Sequence, residues 1–211
     1  MRIDEIEANK TAVFTFARMN PPTKGHARLI TKVQETAQEL GARDFIFLSR
    51  SNDTDKNPLS FEQKSHFLNA FFPKINIMNE SYTDADGEVK YINNPVNALE
   101  YLLHEGYTSF VLVAGGDRVE SFKRPFEFIK DKLPELNLKE YKIVSAGDRD
   151  TDDEISKVSA TQARDAVKAG NYNLFVTLIP ESDDMIQKSL YEQIQQGMET
   201  NNYGEQQKIN Q

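Results

Sequence analysis

Two short segments, far apart in the chain, carry the residue types that bind phosphate. The first is "FARMNPPTKGH", Phe16–His26, where an apolar run stops and an amphipathic one begins. Arg18, Thr23, Lys24 and His26 offer a guanidinium, a hydroxyl, an ammonium and an imidazole over a few residues. The N–H groups that open a helix lack intrahelical partners and point outward, which makes a helix start an anion site. Gly25 lets a ligand come close to the backbone, and Pro21 and Pro22 fix the path into the helix while removing two N–H donors. The second segment is "VSATQAR", Val158–Arg164. Ser159 is a natural N-cap, and Thr161 and Arg164 lie three apart on the first turn of a new helix. Arginine suits phosphate because its planar fork donates in pairs. A lone histidine in the first segment would read as solvated, and the second taken alone as a capped surface helix. It is the gathering of cationic and hydroxyl groups at a strand end that makes the first segment an anion site.

The surrounding pattern supplies the strand ends and helix starts these segments need. "TAVFTFA" (11–17), "DFIFLS" (44–49), "INIM" (75–78), "SFVLVA" (109–114) and "YKIVSA" (141–146) are short, apolar and β-branched or aromatic, and read as buried strands. Between them, Leu29, Ile30, Val33, Ala37 and Leu40 fall on one helical face that ends at Gly41. Ser60 with Gln63 has the spacing of a capping box, and Asn94 followed by Pro95 marks another helix start. Strands alternating with helices imply an α/β fold, a Rossmann-like doubly wound five-stranded parallel sheet followed by C-terminal helices. The expected strand order is 3-2-1-4-5, with ligands beyond the C-terminal ends of the strands. "SYTDADGEVKYINN" reads as an inserted turn or hairpin rather than a calcium loop. Residues 1–198 are expected to form one domain, and 199–211, polar throughout, a disordered tail.

Composition narrows the classes of function. With 211 residues, 38% of them hydrophobic, the chain can bury a sizeable core. It has no cysteine, so disulfides and thiolate metal sites are excluded. The N-terminal "MRIDEIEANK" lacks the apolar stretch of a signal peptide, no window is long and apolar enough to span a membrane, and a cytoplasmic protein is expected. A net charge of −8 disfavours a broad nucleic-acid surface. It allows an anionic small molecule, because a focused local field can outweigh net charge. A homo-oligomer is left open.

The two segments, with two more, resemble the signatures of the nucleotidylyltransferase superfamily. "ARMNPPTKGH" is similar to the HxGH signature, most closely in its nicotinamide-mononucleotide adenylyltransferase form, and matches at Arg18, Pro21, Gly25 and His26. Thr23 stands at the first histidine, as in the TxGH signature of the pantetheine-phosphate adenylyltransferase branch, and Ala17 replaces the leading glycine. "VSATQAR" resembles ISSTxxR at Ser159, Thr161 and Arg164. "GGD", Gly115–Asp117, resembles the G-x-D element, and "NPLSFEQK" (57–64) a segment of archaeal members, with Lys64 at their arginine. The four elements occur in order over roughly residues 12–175, and the size and single-domain build also resemble members encoded by large tailed phages.

The resemblance implies a HUP-type fold and nucleotidyl transfer from ATP or another NTP to a phosphorylated small molecule, with pyrophosphate leaving. Thr23, Lys24, His26 and Arg164 would be catalytic, His26 and Thr23 donating to phosphate oxygens and Lys24 or Lys64 stabilising migrating charge. Phe16, Ala17, Arg18, Met19, Gly25, Lys64, Gly115, Asp117, Ser159 and Thr161 would bind the nucleotide. Asp117 reads equally well as a helix cap. Mg²⁺ would arrive on the phosphates, with no protein metal site, and the acidic run Asp148–Glu154 reads as a solvated loop. The nicotinamide acceptor, and with it NAD biosynthesis, is favoured. The chain has no tryptophan to stack the nicotinamide ring, which leaves Tyr82, Tyr91 or Phe122 for that role. His66 and His104 read as structural or surface residues of helices. A cytidylyltransferase, a phosphopantetheine adenylyltransferase and a non-catalytic nucleotide-binding module stay open as alternatives, the last because of Thr23.

Overall fold

The computed structural model describes residues 10–84, 86–132, 138–147 and 158–209. In chain order the elements are β1 (Thr11–Ala17), α1 (Lys24–Leu40), β2 (Arg43–Leu48), α2 (Phe61–Phe71), β3 (Ser81–Thr83), β4 (Val89–Tyr91), α3 (Pro95–His104) and β5 (Ser109–Ala114). There follow α4 (Gly116–Lys132), β6 (Glu140–Ser145), α5 (Ala160–Lys168), α6 (Tyr172–Leu178) and α7 (Asp184–Ile209). The acidic run Asp148–Glu154 lies outside the described residues.

The chain groups into two compact units that interleave along the sequence. The first comprises residues 1–17, 28–49 and 75–156, the second 18–27, 50–74 and 157–211. The first holds a parallel sheet in the order β2-β1-β5-β6. Its strands are buried for the reason their composition suggests: Ala12, Val13 and Phe14 of β1 and Val113 of β5 are about 0% exposed. Phe14 meets Phe47 edge-on and stacks with Phe126, in a core shared with Leu99, Leu102 and Phe110. The chain leaves β1 toward β2 and later returns on the other side through β5, so the order reverses between β1 and β5, the place where open α/β sheets bind ligands.

The sheet has four strands, one fewer than expected. The segment at Ile75–Met78 makes a single parallel bridge, Ile77 to Ile46, on the outer edge of β2. Ile46 N donates to Asn76 O at 2.8 Å and Met78 N to Ile46 O at 2.9 Å. It lies where the expected order puts it, but four residues flanked by the Pro73–Lys74 turn and polar Asn79 are too few to propagate a ladder. Asp86, Gly87 and Glu88 lie in the turn of the β3–β4 hairpin, with Gly87 at φ +82°. Asp84 Oδ1 accepts from the N–H groups of Asp86 and Glu88 there, and among the described residues no three His, Asp or Glu side chains converge on a metal.

The second unit is helical. Leu59, Phe67, Ala163, Val167, Phe175, Leu190 and Ile194 form its core. Helix α7 runs as far as Ile209. An established helix extends at little cost through polar residues, because only its first turn is hard to form. α7 crosses the 57–60 segment at very close range. A Cβ placed on Gly197 would lie 2.1 Å from Pro58 O and 2.8 Å from its carbonyl carbon, so only glycine fits there.

Candidate active site

The residues of the two candidate anion segments belong to the same unit. Arg18–Ala27, Arg50–Lys74 and Lys157 onward are the three stretches that build the second unit, and they carry the TKGH, NPLS and SATQAR sequences respectively. The opening loop turns sharply after β1. Met19 is buried with φ +45°, a region side chains other than glycine, asparagine and aspartate seldom adopt, and the Asn20–Pro21 peptide is cis. Asn20 is buried as well, its amide paired with the backbone of Leu59.

Helix α1 then begins in an unusual way. The first intrahelical bond runs from Ala27 N to Thr23 O at 3.0 Å, which makes Thr23 the N-cap and His26 the third helical residue. His26 sits where a capping box has Glu or Gln, and its Nδ1 accepts from Thr23 N–H at 3.1 Å, with Thr23 Oγ1 2.9 Å away. An Nδ1 that accepts from an amide has its lone pair there, so the proton of the neutral ring is on Nε2. Thr23 is 0% exposed and His26 half-buried. The helix start therefore fixes one tautomer and orients the ring, and Thr23 serves that purpose with both backbone and side chain.

The second segment closes on the first. Ser159 caps α5 through a capping box, its Oγ accepting from Gln162 N at 3.2 Å and its N–H donating to Gln162 Oε1 at 2.8 Å. Arg164, in the next turn, is nearly buried, donating from Nη1 to Asn20 O at 2.8 Å and from Nη2 to Thr161 Oγ1 at 3.1 Å. Burial pulls its guanidinium below the ordinary arginine range. Asp165 opposes that shift and the like charge of Arg18 adds to it. Arginine nonetheless stays protonated, and its five donors exceed the two bonds made here.

Other expected residues fall into place unevenly. Lys24 and Gly25 are half-buried in the first turn of α1, and Arg18 is exposed. Lys64 is 0% exposed, in the first turn of α2 behind the Ser60–Gln63 capping box, with Nζ 3.4 Å from Ser51 O. Phe16 and Ala17 end β1 and lead directly into Arg18. Gly115 follows β5 in the first unit, and Asp117 stands in the first turn of α4, its side chain outside the described residues. Tyr82 and Phe122 pack against the sheet's core, while Tyr91 is 44% exposed on β4. His66 and His104 are exposed helix residues, one against Phe67 and the other beside Glu105. Sequence reasoning missed Asn20. Its only signal was an asparagine lodged between a buried methionine and two prolines.

No family model matches the chain. No curated protein sequence matches it either. Solved structures do. A bifunctional NMN adenylyltransferase/ADP ribose pyrophosphatase from Francisella tularensis aligns over 92% of this chain with a TM-score of 0.56 and 17% identity. Nicotinic acid mononucleotide adenylyltransferase from Plasmodium falciparum, complexed with NaAD, aligns over 87% with a TM-score of 0.54 and 15% identity. The same enzyme complexed with APC gives 0.53 and 14% over the same share. The chain shares their fold. It covers 96% and 98% of the two Plasmodium chains but only 54% of the Francisella one, about half its length. The Francisella protein joins an NMN adenylyltransferase to an ADP ribose pyrophosphatase, and the Plasmodium protein is a nicotinic acid mononucleotide adenylyltransferase. The likeness bears out an α/β Rossmann-like architecture.

Proposed function

We propose that the protein is a nucleotidylyltransferase that moves an adenylyl group from ATP to the phosphate of a mononucleotide, NMN or its nicotinic acid counterpart. The observation that carries this reading is the 2.8 Å bond from Arg164 Nη1 to Asn20 O, which ties the SATQAR helix to the HxGH-like loop across 144 residues of sequence. A triphosphate is the ligand that needs both at once. The fold shared with two adenylyltransferases supports the choice of adenine and acceptor.

In this reading a phosphate oxygen of the acceptor attacks the α-phosphorus of ATP, the bond from that phosphorus to the bridging β-oxygen breaks, and pyrophosphate leaves. The acceptor phosphate is already ionised near neutral pH, so no general base is required and catalysis is positioning with charge stabilisation. His26 donates from Nε2 to the phosphate undergoing transfer, beside the N–H groups that open α1. Arg18, Arg164 and Thr161 hold the β- and γ-phosphates, and Lys24, at the same helix start, meets the migrating charge. Lys64, buried behind the loop, adds positive potential. Mg²⁺ suits a site of this kind held mainly by triphosphate oxygens and water, and it would neutralise charge on the leaving pyrophosphate.

The test is a matrix of ATP, CTP, GTP and UTP against NMN, nicotinic acid mononucleotide and phosphopantetheine, read by pyrophosphate release with Mg²⁺. ATP with one of the two pyridine mononucleotides is expected to exceed every other pair. Saturable ATP binding with no pyrophosphate from any pair would turn the reading to a nucleotide-binding module.

A further inference from the structure

We infer that Asn20 is a positioning residue, a buried bracket that holds the HxGH-like loop, the NPLS segment and the SATQAR helix in one arrangement. Three contacts carry this. Its Nδ2 donates to Leu59 O at 2.8 Å and its Oδ1 accepts from Leu59 N at 3.1 Å, so one carboxamide takes both backbone groups of a single residue, as a neighbouring strand would. Its own carbonyl accepts from Arg164 Nη1 at 2.8 Å. The side chain is 1% exposed, and Leu59 is 0% exposed.

The chemistry calls for this residue type. Pairing with both groups of a backbone residue needs a donor and an acceptor side by side at fixed spacing, which among side chains of this length only a carboxamide offers. Aspartate keeps the shape but sets two oxygens face to face at Leu59 O. Serine can meet one group and not the other. Because both Leu59 groups are buried, a lost partner leaves an unsatisfied polar atom away from water, the costly case. Arg164 extends the bracket to Thr161 through its second nitrogen, so the geometry of α5's first turn depends on where residue 20 stands. The role in catalysis rests on the nucleotidyl-transfer reading above, while the bracket itself does not.

Asn20→Asp tests it in two ways. Hydrogen exchange on the protein without nucleotide, at neutral pH, reads the bracket. Amides of residues 18–26, 57–62 and 160–166 are expected to exchange about tenfold faster or more, with β1 and β5 unchanged. Equal exchange in variant and wild type, or acceleration spread evenly over β1 and β5, would overturn the inference. In parallel, calorimetry with ATP reads the consequence, and the variant is expected to bind at least about tenfold more weakly than wild type. Wild type that fails to bind ATP would sink the nucleotidyl reading, with exchange still judging the bracket. If Asn20→Asp does not fold, Asn20→Ser, which buries no charge, is read by the same two criteria.

Discussion

Replacing Gly197 by alanine pits two known effects against each other, and the structure decides the sign. In the interior of a helix, alanine is ordinarily better than glycine by about 1 kcal/mol. Here the new methyl would lie 2.1 Å from Pro58 O, 2.8 Å from its carbonyl carbon and 3.0 Å from its Cβ. Relief requires a shift of about an ångström by one backbone or the other, since the obstacle is main chain rather than the end of a side chain. Pro58 is poorly placed to yield, because Leu59 beside it is fully buried and bonded twice to Asn20. Overpacking of a rigid site costs about 1–3 kcal/mol and sometimes more, and the upper part of that range applies. The expected net effect is a loss of about 2 kcal/mol. In urea, with a slope of about 2 kcal/mol/M, that lowers the unfolding midpoint by about 1 M. A Gly197→Ala protein stabilised by about 1 kcal/mol would refute the close packing of α7 on this segment.

Four further outcomes follow from the same geometry. His26→Ala should lower kcat about 10²–10³-fold while ATP affinity changes little, since a preorganised donor counts most as charge moves in the transition state; steady-state kinetics with a binding titration separates the two. Arg164→Ala should weaken ATP binding about ten- to a hundredfold, because the phosphates it is proposed to meet are charged already in the ground state. Ser159→Ala should cost about 1 kcal/mol of stability through its lost cap, measured by thermal or urea unfolding. Asp53 accepts from the N–H groups of Asp55, Lys56 and Asn57 and from the Asn57 amide; burial opposes its ionisation, yet these bonds outweigh it and hold the carboxyl below the usual range. Its folded pKa being depressed, the stability it contributes is present above about pH 4 and lost as pH falls through the folded value. The stability gap between wild type and Asp53→Asn should therefore shrink between pH 5 and pH 3, and a gap unchanged across that window would contradict it.

Much of this architecture was legible because it rests on local rules. The runs at 11–17 and 109–114 became β1 and β5 to the residue, Ser60 caps a helix through the box its spacing with Gln63 implied, and Asn94 and Ser159 cap helices where their residue types placed a start. Gly41 ends α1 at φ +59° with Ala42 N bonded to Ala37 O. The strand at 75–78 was harder to judge, since an apolar tetrapeptide does not reveal whether a neighbour will ladder with it or make one bridge. Asn20 and Gly197 were invisible for a related reason. Each matters through a partner distant in sequence, Leu59 and Arg164 for one and Pro58 for the other, and no periodicity reports a contact of that kind. His26 was found as a phosphate donor candidate from its type and place, but its tautomer came only with the Thr23 contacts.

The proposed attack on the α-phosphorus of ATP can be followed by isotope placement. The protein is incubated with Mg²⁺, NMN or nicotinic acid mononucleotide, and ATP labelled on either the α- or the γ-phosphate. The α-label is expected in the dinucleotide and the γ-label in pyrophosphate, in equal amounts. Label in ADP and inorganic phosphate, or in no product while ATP still binds, would contradict adenylyl transfer.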